Sequence, residues 1–191
     1  MTAEPAQDTV DAYVGAAHGD FDTVKKLLAE HPGILNRPAS WGELALGAAA
    51  QTGQVEIAEH LLALGAPLDI CTAAMLGRAG EVAAMLPREP LGANATGAHG
   101  IPLLYHAVIT GHTGIVRSLL AQGADVNGGR GGSPALHGAV MFNRAVLAEL
   151  LLQQGADLNI LNYDNKTPLA VAIEIKRDAV AEVLRAHGGR E

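Results

Sequence analysis

The residues of this chain that could do chemistry are eight histidines, one cysteine, a glycine-rich run and scattered acids. Zinc binding on a helix needs two imidazoles on one face, which H-x-x-x-H spacing provides. No two histidines here have that spacing, so no metal site is expected. Cys71 would act as a nucleophile only beside a base that lowers its pKa. Its neighbours are Thr72 and Ala73, and a small buried thiol is the expected role. The run Gly128-Gly129-Arg130-Gly131-Gly132-Ser133 has the glycines of a phosphate-cradling loop but lacks the lysine, and no parallel strand is expected before it. It reads as turn punctuation. Acids such as Asp164 and Glu174 have no cleft implied around them. Nothing assembles the base, nucleophile and oxyanion donors of a hydrolase. No catalytic residue and no cofactor is expected, and the chain is not read as an enzyme.

Composition narrows the class further. A length of 191 residues allows one ordinary domain or one short solenoid. Apolar residues make up 49% but aromatics only 3%, so the core must be built from Ala, Leu and Val. That suits two layers of short helices whose backbones approach closely. A net charge of −7 argues against a nucleic-acid partner, whose phosphates call for a basic surface. A single cysteine excludes an intrachain disulfide and fits a reducing compartment. Met1-Thr2-Ala3-Glu4-Pro5 carries an acid and a proline where a secretory signal has basic residues and then an apolar run. No segment approaches the length needed to span a bilayer. The expected location is cytoplasmic, with no membrane partner. Asn94-Ala95-Thr96 fits a glycosylation acceptor and reads, without an export signal, as a chance match.

Positioning elements emerge from an internal repeat. His106 to Asn127 and Gly138 to Asn159 are nearly the same sentence, with Gly123 and Gly155 lying 32 residues apart. A period in the low thirties marks stacked units. Within one unit, Leu103 to Thr110 reads as an inner helix and Ile115 to Gln122 as an outer one. Ile115, Val116, Leu119 and Leu120 share a face at helical spacing. Gly111 and Gly123 follow the two helices, where left-handed backbone ends a helix without a Cβ clash. Near the N-terminus, Asp8-Thr9 is expected to cap a first helix and Asp20 or Asp22 a second. Lys176, Arg177, Asp178, Glu182 and Arg185 lie among Val180, Val183 and Leu184, as expected of an end unit with a polar outer face.

Ala107 to Asn127, Thr167-Pro168-Leu169 and Leu136-His137-Gly138-Ala139 resemble the ankyrin repeat. Marking the residue that opens each unit's alanine pair gives Gly15, Ala49, Ala73, Ala107, Ala139 and Ala172, in steps of 34, 24, 34, 32 and 33 residues. The resemblance implies an all-α solenoid of six helix-turn-helix units with short β-turn fingers, over residues 8–191 after a frayed tail at 1–7. It also implies structural hydrogen bonds for His112 and His137. The 24-residue step departs from the family: Gly65-Ala66-Pro67-Leu68-Asp69 runs almost directly into the next helix, so one finger is expected to be missing.

The resemblance further implies a non-catalytic module that binds another protein through the concave groove and finger tips. The outward pairs would be Ala17-His18, Gln51-Thr52, Met75-Leu76, Ile109-Thr110, Met141-Phe142 and Glu174-Ile175. A row of Met75, Leu76, Ile109, Met141, Phe142 and Ile175 would then form an apolar stripe, and such patches mark interaction surfaces. The alternative is that some turn inward, Leu76 and Ile175 first. The tips add Trp41, Glu43, His99, Ile101, Arg130, Tyr163 and Lys166. Trp41 either meets a partner or covers the edge beside the missing finger. The expected partner-binding set is Trp41, Met75, Ile101, Ile109, Thr110, Arg130, Met141, Phe142 and Tyr163. Burial of the same stripe in a homodimer is the second reading, and an enzyme or small-ligand binder, recognised by a closed pocket with perturbed ionisable groups, is the third.

Overall fold

The computed structural model describes residues 5–190, which form six helical hairpins stacked side by side. The hairpins pair α1 (Gln7–Ala16) with α2 (Phe21–Glu30), α3 (Ala45–Gln51) with α4 (Val55–Ala63), and α5 (Ile70–Met75) with α6 (Ala79–Met85). They continue with α7 (Leu103–Ile109) and α8 (Thr113–Ala121), α9 (Ala135–Met141) and α10 (Ala145–Gln153), and α11 (Pro168–Glu174) and α12 (Asp178–Ala186). The odd-numbered helices pack in series as the inner layer. Alanine makes this possible: Ala48, Ala49, Ala73, Ala107, Ala139 and Ala172 are completely buried. Gly138 takes the approach further, since a Cβ there would stand 2.9 Å from the Tyr105 ring.

Side-chain caps close the N-termini of α2, α5 and α11. Asp20 accepts from Thr23 N at 3.1 Å and Thr167 Oγ1 accepts from Ala170 N at 3.2 Å. Helix α1 differs from expectation. Its N-cap is Ala6, without a side-chain cap, and Asp8 and Thr9 lie inside its first turn. The helix starts early because Gln7 donates to both Asp11 Oδ1 and Pro38 O. The expected tail at 1–7 is therefore too long. Residues 1–4 lie outside the described residues, but Pro5 already accepts from Arg37 Nη1 at 2.8 Å.

One short helix pair cannot bury both of its faces, so the hairpins are held to one another. Two ladders of side-chain-to-backbone hydrogen bonds do this. On the turn side, the residue that precedes α4, α8, α10 and α12 reaches back to a carbonyl of the previous inner helix or its turn. Gln54 Nε2 donates to His18 O at 3.1 Å, Arg144 Nε to Ile109 O at 3.0 Å, and Arg177 Nη2 to Met141 O at 3.1 Å. His112 Nε2 meets Met75 O at 2.9 Å in the same way. On the finger side, Asn94 binds both Gly123 O and Asp125 N, and Asn127 repeats the pair with Gly155 O and Asp157 N.

Both ladders break at the short junction, where residues 64–69 alone join α4 to α5 and no finger projects. Arg78, which should reach back across the turn, pairs instead with Glu59 at 2.6 Å. Asp69 turns to its own helix and accepts from Thr72 N and Thr72 Oγ1. The next finger leans across instead. His99 Nε2 comes within 3.3 Å of Glu43 Oε2, and His106 Nδ1 within 3.3 Å of Ala50 O. The core divides here too: one cluster runs from Ile70 to Leu184, and the other joins α1–α4 to Met75, Tyr105 and Ile109.

Two glycine substitutions separate stacking from propensity. Gly77 has φ +75°, and a Cβ there would lie 2.4 Å from the His112 ring. Gly77→Ala is expected to lower stability by at least about 2 kcal/mol in urea unfolding. Gly80 lies in α6, and a Cβ added there would meet nothing within 4 Å, so Gly80→Ala should raise stability by up to about 1 kcal/mol.

Candidate binding surface

The finger tips form one continuous row. At its start Trp41, 48% exposed, donates from Nε1 to Glu43 Oε2 at 2.9 Å. Glu43 was expected to be a solvent-facing tip and is instead buried, with its side chain 2% exposed. A buried carboxylate needs donors around it. Gln51 Nε2 supplies one to Oε1 at 2.7 Å, Trp41 another, and His18 and His99 lie 3.7 and 3.3 Å from Oε2. His18 Nδ1 lies 3.2 Å from Gly15 O and its Nε2 2.9 Å from Gln51 Nε2.

From His99 the row continues into a cleft of about 430 Å³ lined by Ile101, Arg130 and Tyr163. The structure thus brings together three residues named from sequence on three different fingers. Tyr163 is 65% exposed. Arg130 pairs with Asp157 at 2.8 Å while most of its side chain stays in solvent. That hydrogen bond, helped by Asn159 N–H, holds the Asp157 carboxyl below its usual range. The glycine run acts as the expected turn: Gly129 and Gly131 have positive φ, and Gly131 N donates to Leu161 O of the next finger. Lys166 is occupied by Glu174 at 2.6 Å.

The groove floor corrects the sequence reading. Met75 and Ile109 are completely buried and offer nothing to a partner. Ile109 folds into room left by glycines, since Cβ atoms on Gly138 and Gly53 would lie 3.2 and 3.6 Å from its side chain. Met75 has the flexible side chain suited to filling the gap beside the junction, and it joins the core of the first two hairpins. Thr110 is half-buried and spends its hydroxyl proton on Met75 O at 2.7 Å, so it braces the stack. Phe142 is half-buried, its ring edge 3.3 Å from a Cβ position on Gly53. Met141 is 43% exposed. Leu76 is half-buried, whereas Ile175, expected to turn inward, is 38% exposed. The stripe is interrupted, and exposed apolar side chains are spread over the tips (Trp41, Tyr163), the groove side (Met141, Ile173, Ile175) and the outer helices (Val55, Val146).

The histidines are structural where expected. His137 Nε2 meets Ile160 O at 2.9 Å, and His112 braces Met75 O. Asn94 and Asn127 are committed to the finger ladder. Cys71 is buried, and burial first, then nearby Asp69 and Glu89, pushes its thiol well above the usual range. Among the described residues no group of three or more His, Cys, Asp or Glu could hold a metal ion. No helix of the described residues is long and apolar enough to cross a membrane.

Sequence comparison agrees with this architecture. The family profile of ankyrin repeats matches three times, over residues 12–128, 70–162 and 104–190. The chain belongs to the ankyrin repeat family, whose members are generally protein–protein interaction modules and typically non-catalytic. No curated protein matches the chain.

One residue was missed as a site element. His106 lies one position past the family's helix-start slot, which Tyr105 fills, and that offset was visible in the sequence. The ring is 1% exposed, and its Nε2 has no hydrogen-bond partner. Burial lowers its pKa to about 4, although the bond to Ala50 O works the other way. Burial lowers His137 as well. An unfolded histidine takes up its proton below about 6.5, whereas folded His106 resists until about 4. Between those values the unfolded state holds more protons, so stability falls as pH falls. His106 should account for a loss of about 3 kcal/mol across that window. Urea midpoints from pH 7 to pH 4 should therefore drop steeply in the wild type and less steeply in His106→Leu.

Proposed function

We propose that this protein is a non-catalytic binding module that holds one protein partner along its finger-tip row. The supporting observation is the placement of Ile101, Arg130 and Tyr163 around one cleft, with Trp41 linked to the cleft's His99 through Glu43 and two large aromatics exposed by 48% and 65%. Tryptophan, tyrosine and arginine dominate binding energy at interfaces because they bury large area at low entropy cost. The Glu43 network holds Trp41 by its indole N–H, which limits the freedom its side chain would lose on binding. Met141 and the half-buried Phe142 extend the contact into the groove. Met75, Ile109 and Thr110 contribute by shaping the stack beneath.

Each aromatic anchor is worth about 2 kcal/mol, roughly 30-fold in affinity. Trp41→Ala combined with Tyr163→Ala should leave the helical circular dichroism intact and reduce partner capture from the source cell's extract by more than about 100-fold. Met141→Glu should weaken capture less. Undiminished capture by the aromatic double variant removes the tip row as the binding site. Light scattering distinguishes the homodimer reading: a wild-type dimer dissolved by the double variant would assign the row to self-association.

A further inference from the structure

The missing finger leaves a cavity of about 360 Å³ between the fingers on either side of the junction. Leu35, Leu46, Ala50 and Leu68 give it an apolar body, with Cys71 and His106 in its inner wall. Its size lies within the range of small-molecule sites. Two features define the ligand that would fit.

The first is the orphaned nitrogen of His106. Nδ1 faces Ala50 O at 3.3 Å, and a carbonyl only accepts, so Nδ1 must carry the ring proton. Nε2 is then a pure acceptor, buried and without a donor. An unmet buried acceptor costs free energy that a ligand's donor would recover. Gly97 lies beside it in the cavity wall: a Cβ on Gly97 would stand 2.9 Å from Nε2 and 3.3 Å from Cys71 Sγ. The second is charge. Glu43 and Asp69 line the cavity, and no lysine or arginine does. Both carboxylates already have their donors, Gln51 and Trp41 for Glu43 and Thr72 for Asp69. They repel an anion, and because each oxygen already accepts from the protein, an ammonium group would give up its hydration for at most a shared hydrogen bond.

We infer that this cavity is a binding site for an uncharged small molecule with an apolar ring system and one hydroxyl or N–H donor, which His106 Nε2 accepts. The site is distinct from the finger-tip row, and it exists because the chain omits one finger. Binding requires a shift of the Gly97 backbone, and the absence of a side chain there makes the shift short.

Indole and benzofuran test this directly, since they share a shape and differ in the N–H donor. Amide shifts of ¹⁵N-labelled protein should saturate with indole at residues lining the cavity. Benzofuran should bind at least tenfold more weakly, and indole-3-carboxylate and tryptamine weaker still. In His106→Leu the preference for indole over benzofuran should vanish while benzofuran binding persists. Leu68→Trp, which fills the half-buried mouth, should abolish both. The inference is overturned if neither indole nor 2-naphthol gives saturable shifts at millimolar concentration, leaving the cavity to water. Equal binding of indole and benzofuran, or tighter binding of the carboxylate or the amine, overturns it equally. The wild-type comparison needs no variant, so a His106→Leu protein that fails to fold does not blunt the test.

Discussion

A backbone carbonyl at the end of a short helix needs a donor, and in this protein the donor comes from the next hairpin. Gln54, His112, Arg144 and Arg177 each cross to the previous unit, and Asn94 and Asn127 do the same at the fingers. These bonds fix the distance and angle between neighbours while the alanine layer lets the backbones close. Everything on the surface inherits its position from them. Ile101, Arg130 and Tyr163 share one cleft because their fingers are tied one to the next by Asn94 and Asn127. The groove floor is shaped by residues such as Thr110, whose hydroxyl serves the ladder.

The junction between the second and third hairpins shows how the stack responds to an interrupted ladder. Arg78 turns to Glu59, and Asp69 caps its own helix. Neighbouring groups close the breach from farther away. His99 approaches Glu43, and His106 reaches over α5 to α3. This longer span leaves a polar atom unmatched and a cavity unfilled. Buried polar atoms are nearly always satisfied in folded proteins; among the described residues His106 Nε2 is one of three such side-chain atoms without a partner, with His137 Nδ1 and Arg177 Nε, and it is the one whose residue lines the cavity.

Much of this was legible beforehand. The periodic glycines and the Leu-Leu pairs placed the hairpins to within a residue or two, and the 24-residue step located the absent finger. Trp41, Ile101, Arg130 and Tyr163 were identifiable as tips from their place between helices. Met75 and Ile109 were not, because their register says only that they end an inner helix. Whether such a side chain faces outward depends on the volume its neighbours leave, and Ile109 drops into space released by Gly53 and Gly138, which are far from it in sequence. Glu43 illustrates the same limit: a tip acid reads as solvated until two histidines, a glutamine and an indole gather around it.

Local chemistry in the chain settled helix, turn and repeat, since alanine content, glycine placement and capping oxygens act over a few residues. Which side chains end up exposed, which carbonyls are braced and where a cavity opens were settled by packing between hairpins. Those outcomes depend on pairs such as Gln51 with His18 and His106 with Ala50, separated by 33 and 56 residues. No pattern within a single repeat encodes them, because each requires two units to be placed against one another.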